Sequence, residues 1–149
     1  MRLSLTLWVF LLAGAAAAQP VKADKQLKAT AQSLTLEGAY NKLSNDVAAL
    51  LRRAMAEPND ATALALLEGE GAHLLMRRQQ LQPTLRKWLA TLTPAQRQKF
   101  DHRIQTSNGL MQYILWMVEK DSKTNVRLNN NPKLTEAFAK LVDVIGMGG

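Results

Sequence analysis

The chain has 149 residues, carries 19 Lys and Arg against 12 Asp and Glu, and contains no cysteine. This length suits one domain, and the lack of cysteine excludes a disulfide framework and a thiolate nucleophile. The formal net charge of +7 bears on the choice of partners and not on the fold.

The first 18 residues are ordered like a secretory signal peptide. Arg2 gives a basic start, residues 3–12 (LSLTLWVFLL) give an apolar core, and residues 15–18 are four alanines. We therefore expect cleavage after these alanines, with 1–18 removed and 19–149 forming a single helical domain. The apolar stretch is shorter than the roughly 20 residues of a spanning helix, which disfavours a membrane anchor. The expected location is periplasmic or secreted.

Helical periodicity dominates the rest of the chain. The first stripe recurs at steps of four and three residues, which places its members on one side of a helix: Leu36, Tyr40, Leu43, Val47, Leu50 and Ala54. Residues 57–60 (EPND) break this helix. In the second helix we expect an interruption at Gly69 and Gly71, and a kink at Pro83.

A third helical region is predicted over 94–123, and residues 107–109 (SNG) could divide it. Residues 110–118 (LMQYILWMV) contain one polar member, so this helix is either central or faces a partner. A hairpin strand after Asn108 and Gly109 is the alternative. A last helix starts at Asn131 and Pro132. The sequence therefore predicts an all-α bundle of four to five helices.

Residues 92–96 (LTPAQ) form a helix start. Thr93 can cap the helix, Pro94 suits its first position, and Gln96 can complete a capping box. The same residues resemble the Leu-Thr-x-x-Gln signature of the Spy/CpxP family of small periplasmic proteins. This resemblance implies a cradle-shaped antiparallel dimer that shields unfolded clients without ATP, or a part in an envelope stress response. That family carries two signatures, whereas the other candidate here, residues 34–38 (LTLEG), has glycine in place of glutamine.

Positive charge is concentrated in residues 77–103, which carry seven Lys and Arg against one Asp. This surplus of six equals that of the whole chain after residue 18. Such a segment would attract acidic partners while nearby apolar groups retain them. The alternative is an ordinary solvated surface. The predicted partner-binding residues are Arg77, Arg78, Arg86, Lys87, Trp88, Arg97 and Arg103.

Non-covalent binding is the predicted activity, with protein clients or an envelope protein as partners. An anionic lipid or polymer would also suit the charge, whereas nucleic acid is not expected outside the cytoplasm. One alternative is a homodimer joined through 110–118, acting as a scaffold or an inhibitor of an envelope protein. Another is a small secreted helical enzyme, for which the imaginable groups are Arg52, Arg53, Glu57 and Lys42.

We expect no catalytic, cofactor or metal site. His73 and His102 are the two histidines, and their spacing matches no metal-binding motif. Glu68 and Glu70 lie two positions apart, so they do not share a helix face.

Overall fold

The computed structural model describes the backbone of residues 20–148 and the side chains of Ala31 and residues 35–146. Within these limits the chain forms six α-helices and a final 3₁₀ turn, and no strand. The predicted signal peptide, 1–18, lies outside the described residues. The elements are α1 Pro20–Ala56, α2 Asp60–Leu89, α3 Pro94–Ser107, α4 Gly109–Lys120, α5 Ser122–Asn130, α6 Pro132–Val142 and the 3₁₀ turn Ile145–Gly148.

The all-α class is confirmed, but the prediction of four to five helices is wrong because the region 94–123 breaks twice. Asn108 Oδ1 accepts hydrogen bonds from the N–H groups of Leu110 and Met111, both at 3.1 Å. Asp121 Oδ1 accepts one from the N–H of Thr124 at 3.0 Å. Each side chain satisfies donors that a helix start leaves free, so one polar residue is enough to begin a new helix. The hairpin alternative for 108–118 is also wrong.

Helices α1 and α2 form the long framework of the molecule. They contact each other extensively and are joined by residues 57–59, a connection short enough to make them antiparallel neighbours. The predicted stripe on α1 is confirmed, because Tyr40, Leu43 and Val47 are fully buried together with Leu50 and Ala54. This apolar stripe is the surface against which the other helices pack.

Helix α2 is continuous over 30 residues, so the predicted interruption at Gly69 and Gly71 is wrong. Gly71 is buried, and a Cβ atom there would lie 3.3 Å from both methyl carbons of Leu141 on α6. The missing side chain thus permits close approach of α6. The helix also runs through Pro83.

Aromatic side chains connect α3 to this framework. Phe100 is buried, with its ring centroid 5.4 Å from that of Trp88 in an edge-on contact and 6.1 Å from that of Tyr40. The Tyr40 hydroxyl donates to the carbonyl of Ile145 at 3.1 Å, which ties the C-terminal turn to α1. None of the helices described is both long and apolar enough to cross a bilayer.

Candidate binding surfaces on α2–α3 and α4

Four of the predicted cations form ion pairs. Arg77 contacts Asp46 at 2.6 Å, Arg78 contacts Asp143 at 2.5 Å and Arg97 contacts Asp101 at 3.0 Å. Arg103 holds both carboxylate oxygens of Glu37 at 2.7 Å.

Three of these pairs join different elements of the fold. Asp46 and Glu37 belong to α1, and Asp143 follows α6. Arg77 lies 31 residues from Asp46, and Arg103 lies 66 residues from Glu37. The hydrogen bond from Arg77 keeps the pKa of Asp46 below its usual value, and the bond to Glu37 raises the pKa of Arg103. Much of the charge surplus counted along the sequence is therefore balanced by carboxylates from outside the segment.

The other predicted members lie near the end of α2. Arg86 and Lys87 are exposed and have no ion pair within the described part of the chain. They occupy the last turn of α2, where positive charge also interacts favourably with the helix dipole. Trp88 is half-buried against Phe100, so it contributes to the core. The predicted partner-binding role of these residues stays a prediction.

Helix α4 carries two apolar rows on opposite sides. The inner row is buried where α4 packs on α1, α3 and α5, and consists of Leu110, Tyr113 and Met117. The outward side chains are largely exposed: Leu115 by 47%, Trp116 by 51% and Val118 by 65%. With the half-buried Met111, these three form what we call the outer face of α4.

The outer face follows from the composition of a short helix. Met111, Leu115 and Val118 recur at steps of four and three residues, and so do Leu110, Tyr113 and Met117 at three and four. A helix with apolar residues all round must cover both sides to hide them. Among the described residues, the neighbouring helices α1, α3 and α5 cover one side of α4. The sequence had left open whether 110–118 is central or faces a partner; the structure buries the inner row and leaves the outer row exposed, and contact with a partner stays a prediction.

A cleft of about 550 Å³ opens beside the outer face. The rings of Tyr113 and Trp116 stack with centroids 6.1 Å apart and an angle of 23°. The guanidinium carbon of Arg52 lies over the Tyr113 ring, 5.0 Å from its centroid. The lining residues are Arg52, Met55, Ala56, Gln112, Tyr113, Trp116, Asp121 and Thr124.

Burial and charge set the protonation states in this cleft. Burial, with a smaller contribution from the Asp121 carboxylate, raises the pKa of Tyr113 to about 12, and Arg52 opposes the shift. Hydrogen bonds from Thr124 lower the pKa of Asp121. At neutral pH Tyr113 is therefore a neutral phenol and Asp121 is a carboxylate.

This cleft is not evident from the sequence, in which Arg52 is a candidate only for an enzyme and Trp116 belongs to an apolar run. The available signal was the four-residue spacing of Gln112 and Trp116 together with the apolar excess of α4. Nothing in the spacing indicated that Arg52, 61 positions before Tyr113, would lie over that ring.

Metal chemistry finds no support in the described side chains, because they contain no group of three or more His, Asp or Glu arranged to hold an ion. Comparison with known proteins adds no relative: no family model, no curated protein and no solved structure matches the chain. The likeness of residues 92–96 to the Spy/CpxP signature stays an expectation. In the structure these residues form the predicted capping box, with Thr93 N–H donating to Gln96 Oε1 at 2.9 Å.

Proposed function

We propose that the protein is an exported helical binding protein that holds apolar segments of protein clients without ATP, through the outer face of α4. The observation that carries this proposal is the half-exposure of three large apolar side chains, Leu115, Trp116 and Val118, on one short helix. Apolar groups clustered at a surface mark sites of interaction. Residues at such helical spacing suit contact with another apolar segment.

The size of the outer face favours weak binding over a stable dimer. Helix α4 has 12 residues, so its outer face is about 18 Å long and covers on the order of 200 Å². A stable interface buries about 800 Å² on each partner. The outer face alone therefore suits brief contacts with short segments, and a homodimeric scaffold would need further surface.

The cations at the end of α2 support the same proposal in a different way. Arg86 and Lys87 are exposed and lack a carboxylate partner among the described residues. Unpaired positive charge accelerates the approach of acidic clients and loses this effect as salt is added. Arg77 and Arg78 hold Asp46 and Asp143, so they contribute less to attraction.

A light-scattering assay tests the outer face. We expect the purified protein, without nucleotide, to slow the aggregation of an unfolding client. Replacing Leu115→Ser together with Val118→Ser should raise the amount of protein required by about tenfold, because apolar contact area is lost. The matched control is Met76→Ser with Val126→Ser, which are 54% and 58% exposed on other helices. Equal loss in both variants, or none in the first, would contradict the proposal.

The salt dependence of the same assay tests the cations. Reversing Arg86→Glu and Lys87→Glu should weaken suppression for an acidic client at low salt and leave it unchanged at high salt. If the variant and the unmodified protein show the same salt dependence, Arg86 and Lys87 do not attract the client. That result would leave the role of the outer face untouched.

Light scattering after size-exclusion chromatography tests the scaffold alternative. We expect one molecular mass that is independent of concentration. A micromolar dimer that dissociates when Leu115 and Val118 are replaced by serine would favour the homodimer and would contradict the client proposal.

A further inference from the structure

The arginines of the described region differ in whether they have a carboxylate partner. Of the eight arginines after residue 18, six are ion-paired: Arg53, Arg77, Arg78, Arg97, Arg103 and Arg127. Arg52 and Arg86 have no ion pair among the described residues. Both side chains are exposed, but Arg86 lies at the end of α2, whereas Arg52 lines the cleft beside the outer face of α4.

The Tyr113 ring orients the Arg52 guanidinium without using its hydrogen-bond donors. The contact is between the cation and the ring, with the guanidinium carbon 5.0 Å from the ring centroid. Such a cation–π contact restricts the side chain. A guanidinium has five N–H donors in its plane, arranged to match a carboxylate. The contact therefore favours a position of Arg52 over the ring, and none of the described side chains or carbonyls accepts a hydrogen bond from its donors.

The carboxylate of the same cleft is already engaged. Asp121 Oδ1 accepts from the N–H of Thr124 at 3.0 Å, at the start of α5. Its hydrogen bonds with Thr124, aided by the charge of Lys123, lower the pKa of Asp121. Positive potential at a helix N-terminus further balances this anion. Among the described lining residues, Arg52 is thus the charged group whose hydrogen-bonding capacity is not engaged, and an anion is the ligand that a guanidinium suits.

The walls of the cleft favour a flat apolar group in the part of the ligand that does not carry the charge. Met55, Ala56 and Trp116 supply apolar surface, and the Trp116 side chain remains half exposed while it stacks on Tyr113. A volume of about 550 Å³ lies within the usual range for small-molecule sites. Exposed aromatic rings favour flat apolar groups.

We propose that this cleft binds a small aromatic carboxylate, whose carboxylate pairs with Arg52 and whose ring lies against Trp116. The site goes beyond the proposed client binding, because its cation lies on α1 and off the outer face of α4. Trp116 belongs to both, so the two functions are separated by testing residues that belong to only one of them.

Titration calorimetry with 2-naphthoate tests the ligand class. We expect saturable binding to a single site with a dissociation constant below about 1 mM. The matched probe is 2-naphthamide, which has the same rings and no charge, and it should bind at least about tenfold more weakly because it lacks the charge-assisted pair. Equal binding of acid and amide, or no binding of the acid at millimolar concentration, would overturn the proposal.

Two neighbouring arginines supply the decisive variants. Arg52→Gln should weaken 2-naphthoate binding about tenfold and leave 2-naphthamide binding unchanged. Arg53→Gln removes the same charge from the next residue, whose partner Glu70 lies on α2, and should leave both probes unchanged. Equal effects of the two variants on 2-naphthoate would mean that the protein attracts anions only through its net charge, and the site would be rejected.

A third variant tests the role of Asp121 and a fourth separates the two functions. Asp121→Asn keeps a capping side chain and removes a negative charge that would repel the carboxylate of the ligand. We therefore expect 2-naphthoate to bind this variant more tightly, and weaker binding would contradict the assigned charge pattern.

The fourth variant, Leu115→Ser with Val118→Ser, should leave 2-naphthoate binding intact, whereas Arg52→Gln should leave aggregation suppression intact. Failure of one proposal is thereby distinguishable from failure of the other.

Discussion

Residues 77–103 concentrate cations and residues 110–118 concentrate apolar side chains, and the fold accommodates these two surpluses differently. Arg77, Arg78 and Arg103 find carboxylates on other elements of the fold. Leu115, Trp116 and Val118 find no such cover among the described residues. A charge surplus can be neutralised one side chain at a time, whereas an apolar surplus on a helix requires a whole facing surface.

The two regions therefore differ in how readily they can bind a partner. The ion pairs of the basic segment join partly exposed groups, and they lower the local potential that a partner would meet. An uncovered apolar row retains its tendency to bind. The basic segment was the surface that the sequence favoured, and the outer face of α4 is the one that the structure leaves without cover.

The largest expected effect contrasts the two rows of α4. Leu110→Ala should lower the free energy of unfolding by about 2–5 kcal/mol, because Leu110 is fully buried and its loss leaves a cavity. Leu115→Ala should lower it by less than about 1 kcal/mol, since the side chain is half exposed. Urea unfolding measures both. Similar losses of unfolding free energy in the two variants would mean that the outer row is covered in solution. The contrast between a neutralised basic segment and an uncovered apolar row would then be wrong.

The next effect concerns the residue that starts α4. Asn108 is buried, caps the helix through two N–H groups, and donates from its amide to Asn41 Oδ1 at 3.2 Å. Asn108→Ala should cost about 1–3 kcal/mol through the lost cap and the donors left free. Asn108→Ser keeps a capping oxygen without burying a charge, and should cost less in a urea titration. No loss in either variant would show that packing alone positions α4.

Alkaline pH should weaken the fold through the inner row. The pKa of Tyr113 is raised to about 12, above the value near 10 of an unfolded chain. Its contribution is therefore fully present below pH 10 and is lost as pH rises from about 10 towards 12, at up to about 1.4 kcal/mol per pH unit.

Absorbance titration and urea unfolding at several pH values measure this effect. Tyr113→Phe should remove the Tyr113 contribution to the alkaline loss and is the control. Asp121→Asn should lower the pKa of Tyr113 and Arg52→Gln should raise it, following the signs of their charges. A Tyr113 phenol that titrates near 10 would place the ring in water and contradict the two-row description of α4.

The smallest effects lie in the basic segment. Arg77→Gln should cost at most about 1 kcal/mol, because both it and Asp46 are partly exposed. Arg86→Gln should change stability by less than about 0.5 kcal/mol, since no described carboxylate pairs with it. Chemical denaturation of both variants provides the measurement. A larger loss of unfolding free energy for Arg86→Gln than for Arg77→Gln would contradict the assignment of Arg77 as ion-paired and of Arg86 as without a described carboxylate partner.

Local patterns predicted much of the fold. The period of Tyr40, Leu43 and Val47 identified the buried side of α1, and Thr93 with Gln96 identified the start of α3. The number of helices was underestimated because Asp121 was not identified as a cap. Gly71 was interpreted as a break, because the close approach of Leu141 on α6 is not visible within α2.

The candidate site was predicted less completely than the fold. The apolar excess of 110–118 indicated either a core or an interface; the core is confirmed for the inner row, and the interface stays a prediction for the exposed outer row. The pairing of Arg77 with Asp46 and of Arg103 with Glu37 depends on residues 31 and 66 positions away. The cleft likewise joins Arg52 on α1 to Trp116 on α4.

The sequence by itself determined the helical class, the buried stripe of α1, the capping box at Thr93 and the apolar excess of α4, because each depends on residues within a few turns of one helix. The tertiary structure alone decided which cations are neutralised, which row of α4 is covered, and that Arg52 lies over Tyr113. These features depend on which helices become neighbours, and packing over the whole chain sets that choice.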